Sequence, residues 1–167
     1  YMFSIYDLKN LHKKLFSKSP YPECAGHYRT MSDFLPGTGT ELCDASLVER
    51  ELYFLDKEMI QPLVRIGKFI KQNQTITVEQ AKELKMLAED YTPVTESAFT
   101  RADALMLYLD ACVVLGCKMI KVHPFRDGNG RSVRGFMNKL LTDVGLPPTY
   151  VKANERTEYH NAMNKAN

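Results

Sequence analysis

His123-Pro124-Phe125-Arg126-Asp127-Gly128-Asn129-Gly130-Arg131-Ser132-Val133-Arg134 is the stretch from which the rest of this chain is read. Asp-Gly-Asn-Gly alone is what a tight turn looks like. A turn by itself needs no helix with two arginines directly behind it. From about Asn129 to Val144 the pattern is helical, with Val133, Phe136, Met137, Leu140 and Leu141 as its apolar face. At about 100° per residue, Arg131, Arg134 and Asn138 fall together on the other side. The core therefore anchors one face and leaves a basic edge facing away. The Gly128-Asn129-Gly130 turn sits at the helix N-terminus, where unpaired backbone N–H groups and the helix dipole attract an anion. Guanidinium forks beside such a nest match phosphate oxygens, and two of them suggest more than one phosphate.

Asp127 enters the same turn. A carboxylate beside polyphosphate repels it unless a cation lies between. Magnesium commonly takes one or two carboxylates plus substrate phosphates, so Asp127 reads either as a Mg²⁺ ligand or as a plain turn or N-cap aspartate. His123 is a structural histidine or a base. An unperturbed imidazole titrates near ~6.5, and at the rim of a phosphate site it could deprotonate an incoming hydroxyl. Phe125, between them, reads as a core anchor that fixes the loop. Neither GxxxxGK[ST] nor GxGxxG occurs in the sequence. The residues thus point to nucleotide phosphate chemistry.

Outward from this stretch the chain is mostly helical. Ile5, Leu8, Leu11, Leu15 and Phe16 recur at helical spacing, and Pro20 and Pro22 close that segment. Residues 26–44 are punctuated by Gly26, Pro36, Gly37 and Gly39 around a run from Tyr28 to Leu35 that could be a strand or half a hairpin. A helical pattern returns from Ala45 to about Gln72, where Pro62 and Gly67 suggest a kink or break. Thr77 and Gln80 form a capping box that opens a helix to about Asp90. Thr100 caps a long helix through Leu105, Leu109, Cys112, Val113, Gly116 and Ile120, in which Gly116 lets another helix approach closely. A last helical stretch covers Asn154 to Ala166.

Length and composition fit this reading. The 167 residues are 44% hydrophobic and 25% charged, ordinary values for one globular domain spanning 1–167, and a first residue other than Met admits trimming at one or both ends. Such a chain can bury about 70% of its unfolded surface without a metal or disulfide staple. A balance of 22 basic to 20 acidic side chains gives no electrostatic case for nucleic acid, and no apolar run reaches the ~18 residues of a membrane span. The cysteines Cys24, Cys43, Cys112 and Cys117 form no CxxC pair, and His12, His27, His123 and His160 lack zinc-ligand spacing with them. Buried reduced thiols favour the cytosol.

The quoted stretch matches the signature of Fic proteins, HxFx(D/E)GNGRxxR, at every defined position. The chain resembles that family further in Gly145-Leu146-Pro147-Pro148, in Arg156-Thr157-Glu158-Tyr159, and in Leu8 to His12 and Ala25 to Arg29, which look like the family's opening helix and the start of its β-hairpin flap. The resemblance implies a helical fold with a small flap. It implies transfer of AMP from ATP to a Tyr, Thr or Ser hydroxyl of a target protein, with Mg²⁺ and release of pyrophosphate. His123 would be the base and Asp127 the metal ligand. Gly128, Asn129 and Gly130 would form the anion hole, with Arg131 on the β-phosphate and Arg134 on the γ-phosphate. Tyr159 and Asn167 resemble nucleobase contacts, and His160 stands where relatives often have a second tyrosine. Thr30, Met31, Ser32, Asp33, Phe34 and Leu35 would belong to the flap that clamps an extended target segment by strand pairing.

Many relatives are inhibited by a helix with Ser/Thr-x-x-x-Glu-Gly/Asn whose glutamate pairs with the second motif arginine, here Arg134. Thr92 to Ser97 fits all but its last position, so the resemblance implies an inhibitory helix or a separate antitoxin outside this chain; a homodimer is also admitted. AMP removal, phosphotransfer and phosphocholine transfer are the enzymatic alternatives, and an antitoxin- or target-binding module is the non-enzymatic one. A bacterial cytosolic protein or a secreted effector acting in a host cytosol both fit.

Overall fold

The computed structural model describes residues 3–31, 42–95 and 100–148. Its helices are α1 (Tyr6–Phe16), α2 (Val48–Leu55), α3 (Gln61–Lys71), α4 (Val78–Leu87), α5 (Arg101–Val122) and α6 (Asn129–Asp143). Short 3-10 turns at Pro22–Cys24 and Ala45–Leu47 complete the regular structure. Among the described residues there is no strand. Residues 28–30 lack regular structure, Ser32 to Leu35 lie outside the described residues, and so does the stretch Asn154 to Ala166.

The organising element is α5. Tyr108, Ala111, Cys112, Val113, Val114, Leu115 and Gly116 along it are all buried, so its sequence is apolar around most of the helix. It packs on α6, α4, α2 and α3, while α1 lies against α6. Gly116 is where α6 comes closest. A Cβ there would lie 2.1 Å from Met137 Sδ, so the close approach expected from the sequence is made by this one missing side chain. Cys112 is wholly buried, and burial pushes its thiol up. All four cysteines are free thiols. No helix among the described residues is long and apolar enough to cross a membrane.

The capping signals are fully realised. Thr77 accepts from Gln80 N–H at 3.1 Å, and Gln80 Oε1 accepts from Thr77 N–H at 2.8 Å. Thr100 and Asp103 make the same reciprocal pair at the start of α5. Two orphan N–H groups are thus satisfied at each end. The break expected at Pro62 and Gly67 takes another form. A π-helical turn, Asp56–Ile60, joins α2 to α3, and Pro62 follows in the first turn of α3. The wider turn absorbs the amide that proline lacks. Gly67 breaks nothing: it lies inside α3, where a Cβ would be 3.2 Å from the Tyr108 hydroxyl. Asp56 in the π turn is buried and accepts from Ile5 N–H at 2.9 Å and Gln61 Nε2 at 3.1 Å. It thereby fixes the start of α1 on the α2–α3 pair.

Replacing Gly116 by valine forces three carbons into the space of Met137. Overpacking of this kind costs about 1–3 kcal/mol. Urea melts should show Gly116→Val losing stability on that scale, and Gly116→Val with Met137→Ala recovering part of it. An unchanged midpoint for Gly116→Val would contradict the packing described.

Candidate active site

The site is the connection between α5 and α6. α5 ends at His123, which adopts the left-handed conformation (φ 52°, ψ 61°) and still donates its N–H to Met119 O. A non-glycine residue pays to sit there and needs its surroundings to hold it. The loop that follows is closed by one side chain. Asn129 Oδ1 accepts from Phe125 N–H at 2.8 Å, and Asn129 Nδ2 donates to Phe125 O at 2.8 Å. Asn129 is 5% exposed and Phe125 0%. The amide therefore satisfies both main-chain polar groups of a residue that water cannot reach.

Beneath the loop lies a stack of rings. His12 is parallel to Phe125 at 3.8 Å between centroids and to Phe16 at 4.6 Å. Its Nδ1 accepts from Gly26 N–H at 2.9 Å, so that nitrogen carries no proton. Its Nε2–H then donates to Asp127 O at 2.9 Å. One neutral imidazole thus joins α1, the turn at Gly26 and the motif loop. Burial lowers its pKa, and the bond to the Asp127 carbonyl and the Asp127 charge oppose that shift without cancelling it.

Gly128 caps α6 at φ 78°, and a Cβ on it would lie 2.1 Å from Phe16 Cε2. Only glycine serves at this position, for conformation and for space. Its N–H donates to Asp127 Oδ1 at 2.8 Å. The first helical bond of α6 runs from Ser132 N–H to Gly128 O, and its N-cap Gly128 makes no side-chain cap bond among the described residues. The amides of Asn129, Gly130 and Arg131 therefore form the donor set of the helix N-terminus. A Cβ on Gly130 would be 3.5 Å from Arg134 Nη1, which puts that guanidinium over the same turn. Arg131 is exposed and Arg134 and Asn138 are half-buried, while Val133, Phe136, Met137, Leu140 and Leu141 are buried. The two predicted faces of α6 are both present. Asp127 is exposed at the mouth of the turn.

Of the expected flap residues, Thr30 and Met31 are exposed. With Glu23, Cys24, His27, Tyr28, Arg29 and Arg126 they line a cleft of about 490 Å³. Ser32, Asp33, Phe34 and Leu35 lie outside the described residues, as do Tyr159, His160 and Asn167.

The Fic/DOC family model matches residues 2–141. The chain belongs to the Fic/DOC family. Protein adenylyltransferase fic-1 of Caenorhabditis elegans is 31% identical over 104 residues, covering 62% of this chain and 18% of that protein. Protein adenylyltransferase Fic of Nematostella vectensis is 42% identical over 50 residues, covering 30% of this chain and 12% of the relative. Protein adenylyltransferase Fic of Drosophila grimshawi is likewise 42% identical over 50 residues, covering 30% and 10%. The chain thus spans under a fifth of the length of these relatives.

Two residues that build this Fic site were not identified from sequence. His12 left a trace: it interrupts the buried row Leu8, His12, Phe16 on α1. Arg29 lay within the segment that resembles the family, but its role left no trace, since its bonds to the motif go to main-chain carbonyls far along the chain.

The His12 arrangement gives stability a sign with pH. The native state keeps the ring neutral, whereas the unfolded chain protonates it from about pH 6.5 downward. Stability is therefore lost as pH falls from there through the lowered folded pKa. Melts of the nucleotide-free and metal-free protein should show wild type and His12→Gln converging as the pH is lowered through this range. Parallel curves would contradict the assignment of the neutral tautomer.

Proposed function

We propose that this chain is the catalytic domain of a protein adenylyltransferase, which transfers AMP from ATP to a Tyr, Thr or Ser hydroxyl of a target protein. The observation that carries the reading is the convergence of His123 with the N-terminus of α6 and its two arginines, across a loop held rigid by Asn129 and His12. The printed names of the relatives, protein adenylyltransferases, support the same activity.

In this reading the amides at the start of α6, with Arg131 and Arg134, bind the β- and γ-phosphates and hold ATP in line for displacement. The target hydroxyl gives its proton to His123 as its oxygen attacks the α-phosphorus. The bond from that phosphorus to the bridging oxygen breaks, and pyrophosphate leaves with the electron pair. Asp127 offers one exposed carboxylate, a donor set suited to an ion that completes its shell with phosphate oxygens and water. It would hold Mg²⁺, which when bound neutralises phosphate charge. Tyr159, His160 and Asn167 are proposed for the nucleobase. Residues 30–35 are proposed to receive the target as an added strand.

Arg134 would also pair with the glutamate of an inhibitory helix or a separate antitoxin. Four free thiols support a reducing compartment, the cytosol of the cell itself or of a host.

Mass spectrometry after incubation with Mg-ATP tests the reading. Wild type should add one AMP to a hydroxyl of a lysate protein or of itself. His123→Ala should lower the rate by about 10²–10⁴-fold while keeping ATP affinity. Asp127→Ala should lower transfer and shift its magnesium dependence. A folded wild type, freed of any inhibitor, that modifies nothing would overturn the proposal, as would full transfer by His123→Ala.

A further inference from the structure

We infer that Arg29 is a positioning residue, which holds the base His123. This rests on the reading of His123 as the base. Arg29 is 7% exposed, and the partners of its guanidinium are mainly main-chain carbonyls. Nε donates to His123 O at 2.6 Å, and Nη2 donates to Val122 O at 3.1 Å. Nη1 donates to Met31 O at 2.8 Å, and Nη2 also donates to Cys43 O. The Arg29 main-chain N–H adds a bond to Pro124 O at 2.8 Å.

These acceptors come from two places. Val122, His123 and Pro124 are the end of α5 and the first residues of the motif. Met31 and Cys43 lie in the chain between α1 and α2. A helix C-terminus has carbonyls without partners and a negative dipole end, so a cation there is favoured. A neutral side chain could not supply enough donors in enough directions, whereas a guanidinium has five N–H groups in a fixed fork. Burying a charge is costly unless it is fully bonded, so the fork reports a constraint.

That constraint falls on His123. Its left-handed backbone directs the imidazole, and Arg29 clamps the carbonyl on each side of the Pro124 peptide link. The phosphates, bound by α6, do not depend on Arg29.

Arg29→Lys keeps the charge and loses the fork. With target and Mg-ATP, its kcat should fall by about tenfold to a hundredfold, the usual cost of misplacing a reacting group by about 1 Å. KM for ATP should stay within about twofold, and on a His123→Ala background Arg29→Lys should cost nothing further. The His123 ring resonances, assigned by their loss in His123→Ala, should shift in Arg29→Lys, while ATP-induced shifts in the α6 amides persist. Methylguanidinium should restore part of the activity of Arg29→Ala.

Unchanged kcat and unchanged His123 resonances in folded Arg29→Lys would overturn the inference. So would losses of kcat and ATP affinity in step with a fall in Tm, or variants that both melt before assay, since these mark a general structural role. If the wild type transfers nothing, the adenylyltransferase reading fails by itself, and the His123 resonances still decide whether Arg29 sets that ring.

Discussion

Phe125 has both its main-chain N–H and its C=O buried in the middle of a loop, and Asn129 is the side chain that answers both. Leaving either group unsatisfied costs about 1–3 kcal/mol, so the loop closes in one shape or is strongly destabilised. The rest of the motif inherits that shape. With Phe125 turned inward onto His12, the Asp127 carbonyl meets His12 Nε2, and Gly128 passes over Phe16 in a conformation that other residues resist. α6 then begins with its amides and arginines at the surface. The proposed anion site is thus formed by core packing before any anion arrives. This is the preorganisation that lets fixed dipoles act without reorganising during a reaction.

The helices on either side make the arrangement rigid. α5 is buried along most of its length, and α6 approaches it through Gly116 until Met137 fills the gap. α1 presents Leu8, His12 and Phe16 to the underside of the loop, and Asp56 fixes its N-terminus to the π turn. α1, distant in sequence, thus meets the α5–α6 connection from beneath.

What could be read in advance follows from the range of each interaction. Local signals were legible: the capping box at Thr77, Thr100 as a cap, the two faces of α6, Phe125 as an anchor and Gly116 as a close approach. Asp127 was legible as either a turn residue or a ligand. Its bond to Gly128 N–H satisfies the first reading, while its exposure keeps the carboxylate open to the second. Long-range interactions were not legible. Arg29 bonds carbonyls more than ninety positions away, and His12 bonds one 115 positions away. A carbonyl carries no residue identity, so no pattern of side chains announces such a partner. Asn129 fell between these cases. Its place in the motif was plain, but the nest reading gave it to the anion, whereas its side chain serves the loop and its main chain faces the open end. Pro62 and Gly67 suggested a break because proline and glycine usually punctuate. Here a π turn and the Tyr108 contact accommodate them within a continuous helical path.

In the proposed reading the phosphate site is built before ligand binds. Native-state hydrogen exchange of the Phe125 amide, without nucleotide or metal, tests it most directly. If Asn129 holds the loop as described, that amide exchanges as slowly as those in the middle of α5, and adding Mg-ATP changes it little. A Phe125 amide that exchanges freely in the empty protein and becomes protected only with Mg-ATP would contradict the account.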